Sequence, residues 1–213
     1  MDLSRIPGLL VPALCPLCRQ RLDPSALICG DCMRELNLSR VIRDDPPEGI
    51  DRIASCAAHE GAARELLAAF KFRHLTGLAG LIAGFMADAI TTPESGALVL
   101  GVPPARLRTW LRGFDPVGLL TGQVAGLSGI EPLAQTILAR HGSGRQRGRG
   151  RAGRIADPPD IRAVAAAGKF IGGREVLLID DVMTTGATLA AVAGVLRAAG
   201  VSSVFALTFT RRL

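Results

Sequence analysis

Aromatic side chains and long apolar runs are scarce in this chain of 213 residues. It has no tyrosine, one tryptophan and an aromatic content of only 4%, so its core must be built from Leu, Val, Ile and Ala. The longest uncharged runs, 116–130 and 182–196, fall short of the roughly 18–20 apolar residues that cross a bilayer. We therefore expect no membrane insertion.

The chain also lacks the features of a signal peptide. Asp2, Pro7 and Pro12 interrupt its apolar start, and no small-residue cleavage site follows. Hydrophobic residues make up 48% and charged residues 21%, which excludes a chain that is disordered throughout. We expect a cytoplasmic protein of one or two small domains.

Positive charge exceeds negative charge, and part of the excess lies in one segment. Lys and Arg number 25 against 19 Asp and Glu, a net charge of +6, which predicts an anionic partner such as phosphate, pyrophosphate or nucleic acid. Segment 140–160 is rich in Arg, Gly and Pro and is expected to be a mobile loop. It carries Arg145, Arg147, Arg149, Arg151 and Arg154.

This arginine-rich loop has two interpretations. It is either a solvated loop with no specific contact, or a flexible cationic lid over pyrophosphate or along a nucleic-acid backbone. Few aromatic side chains are interleaved with the arginines, so readout of a base sequence is not favoured.

Four of the five cysteines form two C-x-x-C pairs: Cys15, Cys18, Cys29 and Cys32. Two tight turns of this kind, facing each other, predict a tetrahedral zinc site with Zn–S bonds of ~2.3 Å. Two disulfides are the competing interpretation, which a cytosolic chain disfavours. Four protein ligands leave no open position, so the zinc would be structural. Cys56 stands apart in an apolar stretch and is interpreted as a buried structural thiol.

Strand and helix patterns alternate along the rest of the chain. Strands are predicted at 50–58, 97–102, 175–179 and 203–208, and helices at 61–72, 75–90, 116–127 and 188–199. This alternation predicts an α/β domain with a parallel sheet flanked by helices. We divide the chain into a zinc module at 1–38, a linker at 39–50 and the α/β domain at 51–213.

The most informative segment follows the predicted strand that ends at Ile179. It contains two carboxylates and then a Thr/Gly loop that opens a helix: Asp180, Asp181, Thr184, Thr185, Gly186, Ala187 and Thr188. In open parallel sheets, ligands bind at the carboxyl ends of the strands. Backbone N–H groups, hydroxyls and the helix N-terminus can converge there on one phosphate. The carboxylates suit ribose hydroxyls, and no Gly-Lys-Ser/Thr follows, which excludes a Walker loop.

This segment resembles the phosphoribosyl-pyrophosphate (PRPP) signature of type I phosphoribosyltransferases. The resemblance implies that Asp180 and Asp181 hold the ribose hydroxyls and that 184–188 cradle the 5′-phosphate. It also implies that Mg²⁺ is carried mainly by the bound PRPP and by water.

Motifs outside the PRPP signature indicate a particular family of phosphoribosyltransferases. They are Lys71-Phe72, Val102-Pro103-Pro104, Arg112-Gly113-Phe114, and then Gln146, Gly148, Arg151 and Arg154. Together with the four cysteines they resemble the ComF family, a zinc ribbon joined to a phosphoribosyltransferase domain. The resemblance implies that Pro103 lies in the pyrophosphate loop and that Arg151 contributes to PRPP binding. The chain departs from the family at Asp115-Pro116, where Asn-Gln is usual, and at Arg149, where a hydrophobic residue is usual.

Two functions follow from this resemblance. The first is a protein that binds PRPP or a nucleotide phosphate and assists DNA uptake in natural transformation, with single-stranded DNA and a helicase-type partner. The second is an active phosphoribosyltransferase that moves ribose 5-phosphate to an unidentified nucleobase or amine. The catalytic residues are not identifiable. His59, His74 and His141 are isolated, with no obvious acid or nucleophile partner, and are interpreted as surface or packing residues.

Overall fold

The computed structural model describes residues 13–23, 25–38, 41–43, 45–91, 96–141, 160–164 and 167–212. Within these ranges, five parallel strands form the central sheet in the order β1-β7-β6-β2-β3. These strands are β1 (Arg52–Ala58), β2 (Leu98–Gly101), β3 (Glu131–Pro132), β6 (Glu175–Met183) and β7 (Ser203–Arg211). A separate antiparallel pair consists of β4 (Leu138–His141) and β5 (Asp160–Ala163).

Helices connect these strands. They are α1 (Gly30–Leu38), α2 (Gly61–Phe72), α3 (Ala79–Asp88), α4 (Arg106–Arg112), α5 (Pro116–Ser128), α6 (Ala167–Ile171) and α7 (Ala187–Ala198). Short 3₁₀ turns occupy Thr76–Leu78 and Gln135–Ile137. The predicted fold class, a parallel sheet flanked by helices after an N-terminal cysteine module, is confirmed.

The core lies around β6 and β7, the two strands at the middle of the sheet. Leu177, Leu178 and Ile179 of β6 are buried, as expected for a parallel strand covered on both faces. Helix α2 buries the residues whose spacing predicted it, Leu66 and Phe70 among them.

Both central strands are longer than the sequence pattern predicts. β6 continues to Met183, where Val182 pairs with Thr210 of β7, so it runs through the two carboxylates instead of ending before them. The predicted second helix also begins differently, because a 3₁₀ turn precedes α3. Sequence patterns did not predict helices α1 and α4. They also missed β3, β4, β5 and α6, which are all five residues or shorter.

The described N-terminal residues 13–38, which we call the cysteine module, pack on the α/β core. Ile28, Cys32 and Leu36 are buried and belong to the same apolar cluster as the sheet. Ile42 forms an antiparallel bridge with Ser55 of β1. Among the described helices, none is long and apolar enough to cross a membrane.

Candidate functional site

A cavity of about 260 Å³ opens at the carboxyl ends of β2 and β6. Its lining includes every residue of the predicted PRPP signature: Asp180, Asp181, Thr184, Thr185, Gly186, Ala187 and Thr188. Pro103 and Lys71 line the same cavity. Arg151 and the other arginines of the basic loop lie outside the described residues. The site residues named from the sequence are therefore brought together, apart from Arg151.

The loop at 184–188, which we call the signature loop, turns the chain from β6 into α7. Gly186 has φ +75° and stands at the N-cap of α7, a left-handed conformation that favours glycine. A Cβ on Gly186 would lie 2.6 Å from Cγ of Pro47. The hydroxyl oxygen of Thr185 accepts a hydrogen bond from the Ala187 amide at 3.4 Å. The first residues of α7 line the cavity, and the positive end of the helix dipole favours an anion there.

The two carboxylates at the end of β6 have different partners. Oδ1 of Asp180 accepts a hydrogen bond from the Asp181 amide at 2.8 Å. Oδ2 of Asp181 lies 2.5 Å from Nζ of Lys71, with the two side chains 11% and 14% exposed. Lys71 stands in the last turn of α2. A positive charge is therefore held at the floor of the cavity beside the acid that the sequence assigns to a ribose.

The opposite wall of the cavity follows β2. The amide of Val102 donates to the carbonyl of Ile179 at 2.8 Å, which extends the pairing of the strands and brings Pro103 beside the end of β6. Arg112 at the end of α4 lines the cavity, and its guanidinium lies 5.1 Å from the ring centre of Phe72. The cavity is therefore bordered by two cationic side chains, Lys71 and Arg112.

Asp115 and Pro116, where the sequence departs from the family that it resembles, begin helix α5. Asp115 is the N-cap of α5, and its carboxylate accepts a hydrogen bond from the Val117 amide at 3.1 Å. Pro116 occupies the first helical position, where no N–H is needed. Both residues line the cavity, so this helix cap forms part of its wall.

His59 has a partner that the sequence did not reveal. Its Nδ1 lies 2.9 Å from the hydroxyl of Thr210, at the end of β7. Burial lowers the pKa of His59, and the positive charges of Arg212 and Lys71 lower it further. Next to it, the hydroxyls of Ser55 and Thr208 form a buried hydrogen bond of 2.7 Å. These contacts link β1 to β7, which are far apart in the chain.

The four cysteines of the module lie together, with their sulfur atoms all within 4.8 Å of one another. The Cys15 and Cys32 sulfurs are 4.0 Å apart, and those of Cys18 and Cys29 are 3.4 Å apart. Tetrahedral Zn–S bonds of ~2.3 Å place sulfurs about 3.8 Å apart, so the cluster is compatible with structural zinc. None of the described cysteines forms a disulfide.

The surroundings of Cys15 favour its thiolate, the form that binds metal. Burial raises the pKa of Cys15, but amide hydrogen bonds from Cys29, Cys18 and Leu17 outweigh it and lower that pKa to about 6. By contrast, burial raises the pKa of Cys56 to about 12, which agrees with its interpretation as an inert structural thiol.

Comparison with known proteins supports the family resemblance. No protein-family model matches the chain. Competence protein F of Haemophilus influenzae is 26% identical over 205 residues, which cover 90% of this chain and 87% of that protein. The resemblance to the ComF family is confirmed by this similarity.

Two solved structures are similar to this chain at lower sequence identity. Adenine phosphoribosyltransferase of Trypanosoma brucei, solved with AMP, pyrophosphate and ribose 5-phosphate, is 15% identical, with a TM-score of 0.43 over 85% of this chain and 68% of that chain. Glutamine PRPP amidotransferase of B. subtilis is 21% identical, with a TM-score of 0.40. That match covers 61% of this chain but only 25% of the amidotransferase.

Proposed function

We propose that this chain, which resembles the ComF family and has a parallel sheet flanked by helices, binds PRPP or a nucleotide phosphate in the cavity at the end of β6. The observation that carries the proposal is the meeting of two carboxylates with a Thr/Gly loop at a helix N-terminus. Carboxylates accept hydrogen bonds from sugar hydroxyls, and loop amides donate to phosphate. One cavity therefore provides hydrogen-bond acceptors for the ribose hydroxyls and hydrogen-bond donors for the phosphate.

The residue roles that we propose are those implied by the sequence resemblance. Asp180 and Asp181 bind the ribose hydroxyls, and the signature loop binds the 5′-phosphate. Pro103 lies on the pyrophosphate side, with Arg151 contributing from the basic loop. Mg²⁺ enters with the pyrophosphate and its water, and it neutralises part of that charge.

The wider role that we propose is assistance to DNA uptake during natural transformation, in the cytoplasm. The name of the Haemophilus influenzae relative supports this assignment, as does the net charge of +6, since cationic segments bind nucleic-acid phosphates. We propose single-stranded DNA and a helicase-type uptake protein as partners. We also propose three parts for the chain: a zinc ribbon at 1–38, a linker at 39–50 and the phosphoribosyltransferase-like domain at 51–213.

Transfer of ribose 5-phosphate is the second candidate function. It is favoured by the two cationic side chains of the cavity, Lys71 and Arg112. Positive groups held at this position stabilise the charge that develops on departing pyrophosphate. In this reaction the bond from ribose C1 to pyrophosphate breaks, and a nucleobase or amine takes its place.

Two measurements on the purified chain test these candidates. Titration with PRPP and Mg²⁺ tests binding, with ribose 5-phosphate and inorganic pyrophosphate as partial ligands. Release of pyrophosphate is then followed with each nucleobase and with ammonia as acceptor. Binding without release supports the accessory role, whereas acceptor-dependent release identifies an enzyme. The absence of PRPP binding would refute the proposed site.

A further inference from the structure

Helix α2 carries Lys71 into the cavity, and both of its ends are held by the cysteine module. Lys71 is in the last turn, and α2 begins at Gly61. A hydrogen bond joins the module to each end of α2, one through Glu35 and one through the carbonyl of Pro16.

At the N-terminus of α2, a residue of α1 takes the place of the usual N-cap side chain. The preceding residue, Glu60, makes no side-chain cap hydrogen bond. Instead Oε1 of Glu35 accepts the Ala62 amide at 2.7 Å. A Cβ on Gly61 would lie 2.1 Å from this oxygen, and Gly61 has φ +48°. A carboxylate at this helix end both satisfies an amide and complements the helix dipole.

At the C-terminus of α2, Arg73 reaches the first cysteine turn. Its Nη1 donates to the carbonyl of Pro16 at 2.5 Å, and Pro16 lies between Cys15 and Cys18. The Arg73 amide donates to the carbonyl of Ala69 at 3.2 Å and closes the helix. The cysteine turn is thus joined through Arg73 to the turn of α2 that presents Lys71.

The middle of α2 has its own anchors, since Leu66, Leu67 and Phe70 are buried in the core. Phe70 also packs edge-on against Phe114 at 5.5 Å. Loss of the module's contacts would therefore loosen the ends of α2 and leave its middle in place. The last turn, with Lys71, is the part that would move relative to Asp181.

We propose that the zinc-bound cysteine module positions Lys71 against Asp181, so that zinc occupancy sets the affinity of the cavity for a phosphorylated ligand. Glu35 and Arg73 are the positioning residues, and neither lines the cavity. The proposal rests on the proposed function, because its ligand is PRPP. By thermodynamic reciprocity, PRPP must raise the affinity of the chain for zinc by the same factor by which zinc strengthens PRPP binding.

The test combines zinc removal with Arg73→Ala in the full chain. PRPP affinity is measured with Mg²⁺ on zinc-loaded and chelator-treated protein, with zinc content determined for each sample. We expect chelation to weaken binding by about fivefold or more, the range of ordinary coupling between sites. Arg73→Ala should weaken binding similarly while zinc stays bound. Chelation should then have a smaller further effect, since both changes break the contact between the Lys71 end of α2 and the first cysteine turn.

Two variants act as controls. Arg64→Ala removes an exposed arginine of the same helix, one that pairs with Glu65, and should leave the zinc dependence intact. Arg73→Lys keeps a donor for the carbonyl of Pro16 and should restore part of the affinity. Equal PRPP affinity with and without zinc, or an Arg73→Ala variant with unchanged affinity, would overturn the proposal.

A second readout separates this proposal from the proposed function. The amides of Arg73 and Leu75 both donate to the carbonyl of Ala69, and their hydrogen exchange reports the last turn of α2. Chelation or Arg73→Ala should speed their exchange about fivefold or more, while the amides of β6 stay protected. If the zinc-loaded chain binds no PRPP, the proposed function fails, but the exchange result still tests whether the cysteine module stabilises the last turn of α2. Unchanged hydrogen exchange both after chelation and in Arg73→Ala would refute that stabilisation.

Discussion

Lys71 and Asp181 form an ion pair of 2.5 Å at the floor of the cavity, between the last turn of α2 and the end of β6. Both side chains are nearly buried, so water screens their interaction less than it would at the surface. The pair places one negative and one positive charge in the cavity lining. In a ligand such as PRPP, the ribose hydroxyls can donate to Asp181 and the phosphates can be attracted by Lys71.

Replacement of Lys71 by Met keeps most of the unbranched side chain and removes its charge. We expect the free energy of unfolding to fall by about 1–3 kcal/mol, because Asp181 keeps a largely buried carboxylate without its partner. Denaturant unfolding measures this loss. Adding Asp181→Asn should recover part of it, and strictly additive effects in this double-mutant cycle would show that the two side chains do not interact.

Gly186→Ala should disturb the signature loop directly. Its left-handed φ of +75° and the nearby Pro47 leave no room for a Cβ. The conformation alone costs about 1–2 kcal/mol for an alanine. We expect a lower melting temperature and weaker PRPP binding, measured by thermal unfolding and calorimetry.

Gly194→Ala is the matched control, because it lies inside the same helix with nothing within 4 Å of an added Cβ. This variant should be as stable as the parent or more stable, by up to ~1 kcal/mol. If Gly186→Ala and Gly194→Ala had the same melting temperature and PRPP affinity, the left-handed conformation of Gly186 would not be needed by the signature loop.

The core of the site was predictable from the sequence because its residues are contiguous. The carboxylates and the signature loop lie within 180–188, and the spacing of the cysteines is equally local. Helix α2 was predicted with its observed bounds, Gly61–Phe72, since a buried stripe recurs at helical spacing.

The remaining contacts of the site could not be predicted because they join distant segments. Lys71 was singled out only as part of a family motif, and nothing in its neighbourhood indicates Asp181 as its partner. The bond of His59 to Thr210 depends on the pairing of β1 with β7. The short strand β3 contains Pro132, a residue that argues against a strand when only the sequence is known.

Zinc should be present at one equivalent per chain. Cys18→Ser should lose most of the metal and unfold the cysteine module, while the sheet of the α/β domain stays folded, because the ligand set is closed and structural. Metal analysis by mass spectrometry, with circular dichroism for the fold, measures both effects. Cys56→Ser is the control and should keep its zinc. Intramolecular disulfides and no zinc in the native protein would contradict the assignment.

The arginine-rich loop should add affinity for polyanions without preference for a base sequence. Suppose that about three of its arginines contact a single strand of DNA. Replacing all five by Ser should then make the slope of log affinity against log salt concentration less steep by about two. The five are Arg145, Arg147, Arg149, Arg151 and Arg154. Fluorescence anisotropy with several oligonucleotides at several salt concentrations measures this. An unchanged affinity and slope would exclude a nucleic-acid role, whereas weaker pyrophosphate binding alone would indicate a lid.

The most direct test of the account is calorimetric titration of PRPP with Mg²⁺ into the zinc-loaded chain and its Asp181→Asn variant. This change is nearly isosteric, and it removes a charged acceptor for a ribose hydroxyl. We predict a loss of about 1–3 kcal/mol, or roughly tenfold to a hundredfold in affinity. Asp160→Asn, at an exposed carboxylate of β5 that pairs with Arg162, should bind PRPP like the parent. Equal PRPP affinity in the parent and in Asp181→Asn would contradict the assignment of the site.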